Sequence, residues 1–486
     1  MSIIISIIQQ FTEEEQHGFL RFLKQKNQRG DTKNLQLFKL LLTGKTEKLD
    51  EIIYGKPARN AYHALHKRLQ DSVIDFVARQ SFAGETSEEL DILRLLLAAR
   101  IFFEQKHHKI AIKTLGKAEQ KGLQYEIYPI LTEIYHTKIQ YAHLQTREPL
   151  ETIITAAEQN LIYFNQEQHL AMAYATIKAR LANNPKVSAK RVIIEVLALY
   201  SISPNTGFTF KSLFQLMELL VTAAEMHRNY YDIADYMREL YAIVSAKEQL
   251  AEKHLFYHIK IVHLMAVSYF RNKDFAASLL FTEKMKLEME KQKGKYSRLF
   301  ENKWTALQAL NLNYNGSSQE AISLLINEKT TSLDSQLTLI MCYFQQSQFT
   351  EGYAVFKQMN HSDQWYEKKM GWTWVVKKSI IEILLLVELD KLELVWSRLE
   401  SFKKRFTQRL KKGGETRALT FIKLTQLYYD NPSQVTTQVF EDKVASSFEW
   451  IGSEREDIFV MSFYAWLKAK MTQRNIYDVT LELVNS

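Results

Sequence analysis

The chain holds one cysteine, Cys342, in 486 residues, which excludes an intramolecular disulfide and a thiolate zinc cluster. Proline (6) and glycine (15) are scarce as well. Both residues punctuate turns and sheet edges, so their scarcity predicts long uninterrupted elements and argues against turn-rich β folds. No apolar run reaches the ~18 residues that a bilayer-crossing helix needs. The apolar start, Met1 to Ile8, has no Lys or Arg before it and no small-residue cleavage site after it. It is expected to be a first helix or an extended segment packed on the body. Catalytic signatures are missing too: there is no Gly-x-Ser-x-Gly elbow and no kinase motif. The stretch Leu42 to Thr46 resembles the end of a phosphate-binding loop, but the position that needs the first glycine is Lys39. These absences predict a non-enzyme without cofactor or metal, and a disulfide-free chain suits the cytoplasm.

What is abundant is Leu, Ala, Glu, Lys and Gln, which favour helices. The expected fold class is therefore all-α. Net charge is +8, which permits contact with nucleic acid or an acidic partner without demanding it. Residues 1–85 read as an N-terminal helical module. Thr12 can cap a helix whose first turn is Glu13, Glu14 and Glu15, and Phe19, Phe22 and Leu23 share one face. After a polar break at Asn27–Thr32, Leu35, Phe38, Leu41 and Leu42 make a short helix ending at Gly44. Thr46–Tyr54 is a third helix, and Tyr62, Leu65, Leu69, Val73 and Phe76 mark a fourth. Ser81–Ser87 is the expected linker. Residues 86–412 read as an array of helix pairs, and residues 413–486 as C-terminal helices capping it. Between the clearer pairs, one helix is expected from Glu148 to Asn160 and another over Gln166–Leu181. Ser201–Thr209, with Pro204 and Gly207, is a loop, and Gly413-Gly414 is a sharp break.

From about residue 87, small and large residues recur in a fixed order. Ala99, Phe102, His108, Ala111, Leu115 and Ala118 form one set, and Ala266, Tyr269, Phe275, Ser278 and Thr282 a second. Ala309, Leu312, Gly316, Ala321 and Leu325 form a third; Tyr343, Phe349, Gly352 and Phe356 a fourth. Weaker copies surround Tyr231/Ala234 and Leu392/Val395. Small residues suit the points where two helices cross closely, and large ones fill the gap between successive pairs. Over residues 87–400 this pattern resembles the tetratricopeptide-repeat superfamily, which implies a superhelical stack of antiparallel helix pairs that binds a protein or peptide. The second-helix residues Ser278, Ala321, Gly352 and Val395 lie 43, 31 and 43 residues apart. A strict array repeats about every 34, so longer helices are expected, and the consensus Trp and Pro are mostly absent.

Three clusters remain to be weighed for chemistry. His254 and His258 are four apart with His263 following, but the intervening Leu255, Phe256 and Tyr257 include no base, so exposed or capping histidines are expected. In Ser401–Lys412, Leu399, Phe402, Phe406 and Leu410 form an apolar stripe, while Lys403, Lys404, Arg405, Arg409, Lys411 and Lys412 cover the rest. This helix is either a solvated face or a contact for an acidic partner or nucleic acid. Trp365, Tyr366, Trp372 and Trp374 crowd one stretch and make a candidate binding surface, as large aromatics anchor interfaces. The functional expectation is a non-catalytic scaffold for a protein or peptide partner, with the oligomeric state left open. The alternative is a peptide-responsive regulator whose basic N-terminal module or basic helix contacts nucleic acid, similar to certain bacterial peptide-sensing regulators.

Overall fold

The computed structural model describes residues 8, 11, 13–26, 32–43, 48–84, 88–144, 148–183, 189–202, 208–227, 230–328, 332–412, 416–447, 456 and 458–485. The N-terminal run before Ile8, the Thr12 cap, the break before Thr32, Gly44, Pro204 with Gly207, and Gly413-Gly414 lie outside them.

All regular elements are helices, and no strand occurs among the described residues. In chain order they are α1 (Glu13–Lys26), α2 (Thr32–Leu42), α3 (Leu49–Tyr54), α4 (Arg59–Gly84), α5 (Glu88–Glu104), α6 (His108–Gln124), α7 (Tyr128–Gln140), α8 (Leu150–Asn183), α9 (Ala189–Leu199), α10 (Phe210–His227), α11 (Tyr231–Ala246) and α12 (Glu248–Ala251). Then follow α13 (Leu255–Arg271), α14 (Phe275–Gly294), α15 (Ser297–Tyr314), α16 (Ser318–Ile326), α17 (Leu333–Gln345), α18 (Phe349–Gln358), α19 (Asp363–Met370), α20 (Trp372–Glu388), α21 (Leu392–Lys412), α22 (Thr416–Asp430), α23 (Gln438–Ser447), α24 (Ile458–Thr472) and α25 (Ile476–Asn485). Two short 3-10 turns, Ala142–Leu144 and Pro432–Thr436, complete the order. The expected linker from Ser81 is helical as far as Gly84. Among the described residues no helix is long and apolar enough to cross a membrane.

The chain divides into two compact units. One comprises Met1–Leu90 with His361–Trp372, the other Asp91–Asn360 with Thr373–Ser486. The first is organised around phenylalanine. Phe19 meets Phe38 at 4.8 Å and Phe76 at 5.1 Å between ring centroids, and Leu37, Leu41, Leu65 and Leu69 close the cluster. Gly18 packs closely beside it: a Cβ there would stand 3.2 Å from the Phe76 ring.

The second unit is built from helices that pack on their chain neighbours: α13 on α14, α15 on α16, and α17 on α18. The first helices of these pairs also touch one another, α13 with α15 and α15 with α17. The small residues that the sequence pattern assigns to crossings are buried: Ala99, Ala111, Ala118, Ala266, Ser278, Ala309 and Ala321. At Gly352 an added Cβ would lie 3.3 Å from Leu385 and 3.4 Å from Tyr343.

One turn geometry recurs between partners. After α13, Lys273 N–H donates to Phe270 O and Asp274 N–H to Tyr269 O; after α17, Ser347 donates to Phe344 and Gln348 to Tyr343; after α20, Asp390 donates to Val387 and Lys391 to Leu386. In each case the middle residue is left-handed, with φ 61° at Lys273, 58° at Ser347 and 48° at Asp390. This is the six-to-one closure that ends a helix by turning one residue through αL. After α15 glycine takes the position, as Gly316 with φ 94°. The chain thus turns sharply without glycine or proline, and the inference from their scarcity to long elements holds only locally. It does hold at α8. The two helices expected over 148–181 form one helix, Leu150–Asn183, since nothing between Asn160 and Gln166 interrupts the backbone hydrogen bonds.

The C-terminal hairpin α24–α25 lies against first helices. Tyr314 of α15 bonds Ser462 at 2.6 Å, and the Tyr477 hydroxyl donates to Asn313 O at 2.6 Å. Trp466 Nε1 donates to Glu388 of α20 at 2.6 Å, and α25 packs on α17. Ile458, Met461 and Val484 join the largest apolar cluster of the unit.

Candidate functional site

The longest helix presents apolar side chains on two opposite faces. Ile153, Leu170, Tyr174, Ile177 and Leu181 of α8 are buried. Leu150, Ile154, Leu161 and Met172 are instead 45%, 39%, 44% and 46% exposed. Their spacings of 4, 7 and 11 residues bring all four onto one stripe at 3.6 residues per turn. The neighbouring Ile162 and Tyr163 are exposed too. A single exposed leucine is ordinary, whereas a row of four large apolar residues on one helix face is a surface suited to a partner. The sequence reading missed this surface. Its signal was present as a second apolar stripe, although periodicity alone gives no sign of which stripe faces water.

The aromatic candidates are divided between the two units. Trp365 and Tyr366 belong to α19 in the first unit; Trp372 also falls in that unit, whereas Trp374 falls in the second. Trp365 stacks on His361 at 3.9 Å and stands edge-on to Tyr366 at 5.1 Å. Tyr366 is buried, and its hydroxyl accepts from His361 N–H. Trp374 is also buried, donating from Nε1 to the Asp334 carboxylate at 3.0 Å. Tyr366 and Trp374 therefore act as packing groups, and Trp365 and Trp372 keep part of their surface.

On α21 the apolar stripe Leu399, Phe402, Phe406 and Leu410 is buried as its spacing predicts. Lys403 turns back to Gln426 at 2.7 Å and Glu400 at 3.2 Å, and the Arg405 guanidinium lies 5.3 Å from the Phe406 ring centre. Lys404, Arg409 and Lys411 are exposed, and Lys412 ends the helix. Lys403 and Arg405 are half-exposed.

The histidines depart from expectation. His254 and His258 are buried. His258 Nδ1 lies 3.3 Å from the Glu288 carboxylate and His254 Nε2 3.6 Å from Glu126. Burial alone would raise the Glu288 pKa, but hydrogen bonds from His258 and Lys291 outweigh it and hold the carboxyl at about 2. Burial and the Lys303 ammonium push His263 down to about 3. The acidic partners lie 30 or more residues away in sequence, which hid them from a local reading. Among the described residues no group of His, Cys, Asp and Glu forms a cation site. Cys342 is fully buried, and burial pushes its thiol up to about 12.

A cleft of about 90 Å³ opens where α10, α13, α20, α22 and α24 meet, with Glu225, Arg271, Lys377 and Arg417 around three rings, Phe421, Phe459 and Phe463. Its residues are scattered from Glu225 to Phe463, so no sequence motif announces it. No family model, curated protein or solved structure matches this chain.

Proposed function

We propose that the chain is a non-catalytic scaffold that binds a protein partner, built from tetratricopeptide-like helix pairs and working in the cytoplasm. The exposed stripe Leu150, Ile154, Leu161 and Met172 carries this reading. A partner helix laid along it would bury apolar surface at about 25 cal/mol per Å², the term that drives most association. The paired helices supply a stiff support for such a face.

The test uses the full chain as bait in its native cells, beside the variants Leu161→Arg and Met172→Glu. Both positions are exposed, so the variants should fold normally, as circular dichroism would verify. One protein recovered in stoichiometric amount by the parent chain and lost with both variants supports the scaffold. Recovery unaffected by either variant removes the stripe from the reading, and turnover of a small molecule by the purified chain removes the reading itself.

A second reading, contact with nucleic acid, draws on the outward Lys404, Arg409 and Lys411. It requires binding that weakens steeply with salt and is lost when these three become Gln.

A further inference from the structure

We propose that the exposed face of α8 pairs with the same face of a second copy of the chain, antiparallel, about a two-fold axis between Phe164 and Asn165. This pairing rests on the scaffold reading of the same stripe and names the partner.

The stripe has unlike ends. Leu150, Ile154 and Leu161 give it bulk in its N-terminal half. Beyond the middle of the helix the same face continues through Gln168, Ala175 and Ala179, all exposed. Two antiparallel copies match these ends in one register. Leu150 of one copy meets Ala179 of the other, Ile154 meets Ala175, the half-buried Ala157 meets Met172, and Leu161 meets Gln168. Three of these four layers set a large residue against a small one, which lets side chains interdigitate. A parallel pair would set Leu150 against Leu150 and Ala179 against Ala179, crowding one end and leaving the other unfilled.

Charge supports the same arrangement. Glu151 and Arg180 are both exposed, and the helix between them turns them to within about 20° of each other. A two-fold axis across an antiparallel pair brings like flanks together, so Glu151 of each copy reaches Arg180 of the other. Within the chain Arg180 lies 3.8 Å from Glu195, an exposed and weak pair. Asn165, also exposed, stands at the axis and meets its own copy. An amide both donates and accepts, and a polar residue within an apolar seam fixes register.

The size of the seam sets the strength. From Leu150 to Ala179 it is about 44 Å long, and a helix is about 10 Å across. Two such strips bury on the order of 900 Å², short of the roughly 1,200 Å² at which stable complexes begin. A reversible dimer with Kd on the order of 10 µM is expected.

Sedimentation of the full chain up to about 100 µM, roughly ten times that Kd, reads the dimer directly. Leu161→Arg should weaken it at least 30-fold, because it places two like charges beside the axis. Glu151→Arg should weaken it about tenfold, and adding Arg180→Glu should bring it back to within about threefold of the parent. A merely structural role for either residue predicts no such recovery, and circular dichroism checks that each variant is folded. Cysteine cross-linking with a short bismaleimide reads the register. Cys342 is buried, so the parent should stay unlinked. Asn165→Cys should link to its own copy. Ala179→Cys, roughly 40 Å from its own copy, should not, but should link when mixed with Leu150→Cys. A monomer up to about 100 µM, a dimer indifferent to Leu161→Arg, a charge swap without recovery, or Ala179→Cys linking to itself would overturn the pairing. The scaffold reading fails separately. A monomeric chain that captures a different protein and loses it with Leu161→Arg keeps that reading and refutes the pairing. A dimeric chain that turns over a small molecule does the reverse.

Discussion

Glu388 offers a sharp test of how the C-terminal hairpin is held. Its carboxylate is 8% exposed and receives Trp466 Nε1 at 2.6 Å and the Lys470 ammonium at 2.8 Å. Removing the cation by Lys470→Met would leave a buried carboxylate with one neutral donor. Breaking a fully buried pair costs about 3–5 kcal/mol, and exposed pairs are worth under about 1. Lys470 is 26% exposed, which places the expected loss between these limits, at about 2 kcal/mol. Adding Glu388→Gln to that variant should recover most of it. The amide oxygen can still accept from Trp466, and no charge is then left without a counter-ion, so the double variant should fall within about 1 kcal/mol of the parent. Hydrogen exchange of the α24 amides reads the opening of this region directly. Lys470→Met should exchange about 30-fold faster than the parent, and the double variant within about fivefold of it. A double variant that exchanges as fast as Lys470→Met, or faster, would refute the claim that charge burial, not lost packing, sets the cost.

Three further outcomes follow from single positions. Gly116 and Gly122 share helix α6, yet a Cβ meets nothing within 4 Å at Gly116 and lies 2.7 Å from Leu131 Cδ2 at Gly122. Gly116→Ala should therefore raise stability by about 0.5–1 kcal/mol and Gly122→Ala lower it by about 1–2, as read by exchange of α6 amides; equal effects would contradict the packing described. At the left-handed Ser347, Ser347→Gly should stabilise by about 0.5–1 kcal/mol in urea denaturation, since glycine reaches φ 58° without a Cβ clash. Glu288 is held at about 2 in the fold against its ordinary 4.5. A depressed carboxyl lends stability that is complete above pH 4.5 and is lost as pH falls towards 2. Urea titrations between pH 7 and 2 should show the parent losing up to ~3 kcal/mol from this group, and Glu288→Gln, already weaker at pH 7, losing correspondingly less.

Much of the helix-pair pattern was legible because it is local. A small residue three positions from a large one reports a helix crossing without knowledge of the partner, and Ala266, Ser278, Ala309 and Ala321 are all buried as that rule requires. Turns were harder to read. Their positions followed from the pattern, but their chemistry did not, because Lys273, Ser347 and Asp390 take the left-handed position that glycine fills most cheaply. The scarcity of glycine therefore said less about element length than composition suggests. At α8 the error ran the other way: residues 161–165 were left between two expected helices, although no residue there opposes helical geometry.

The functional surfaces divide along the same line, according to how many helices build them. The basic stripe and the exposed row on α8 each lie on one helix, so spacing alone could bring their residues together. What spacing could not supply was the side that faces solvent, and that decided both cases. On α21 the apolar stripe turned inward and left Lys404, Arg409 and Lys411 outside. On α8 two apolar stripes existed, and only one is buried among the described residues. The cleft needs five helices and residues from Glu225 to Phe463, and it exists only where those helices meet. A sequence shows the +8 excess of the whole chain but gives no hint that three of its cations share one apolar wall. Lys377 makes the point most directly. It stands beside Lys378 in sequence, yet Lys378 is buried with its ammonium 3.9 Å from Glu382, while Lys377 reaches over Phe459 at the cleft. Adjacent residues on a helix are turned about 100° apart, and that rotation alone separates a structural lysine from one that can meet a ligand.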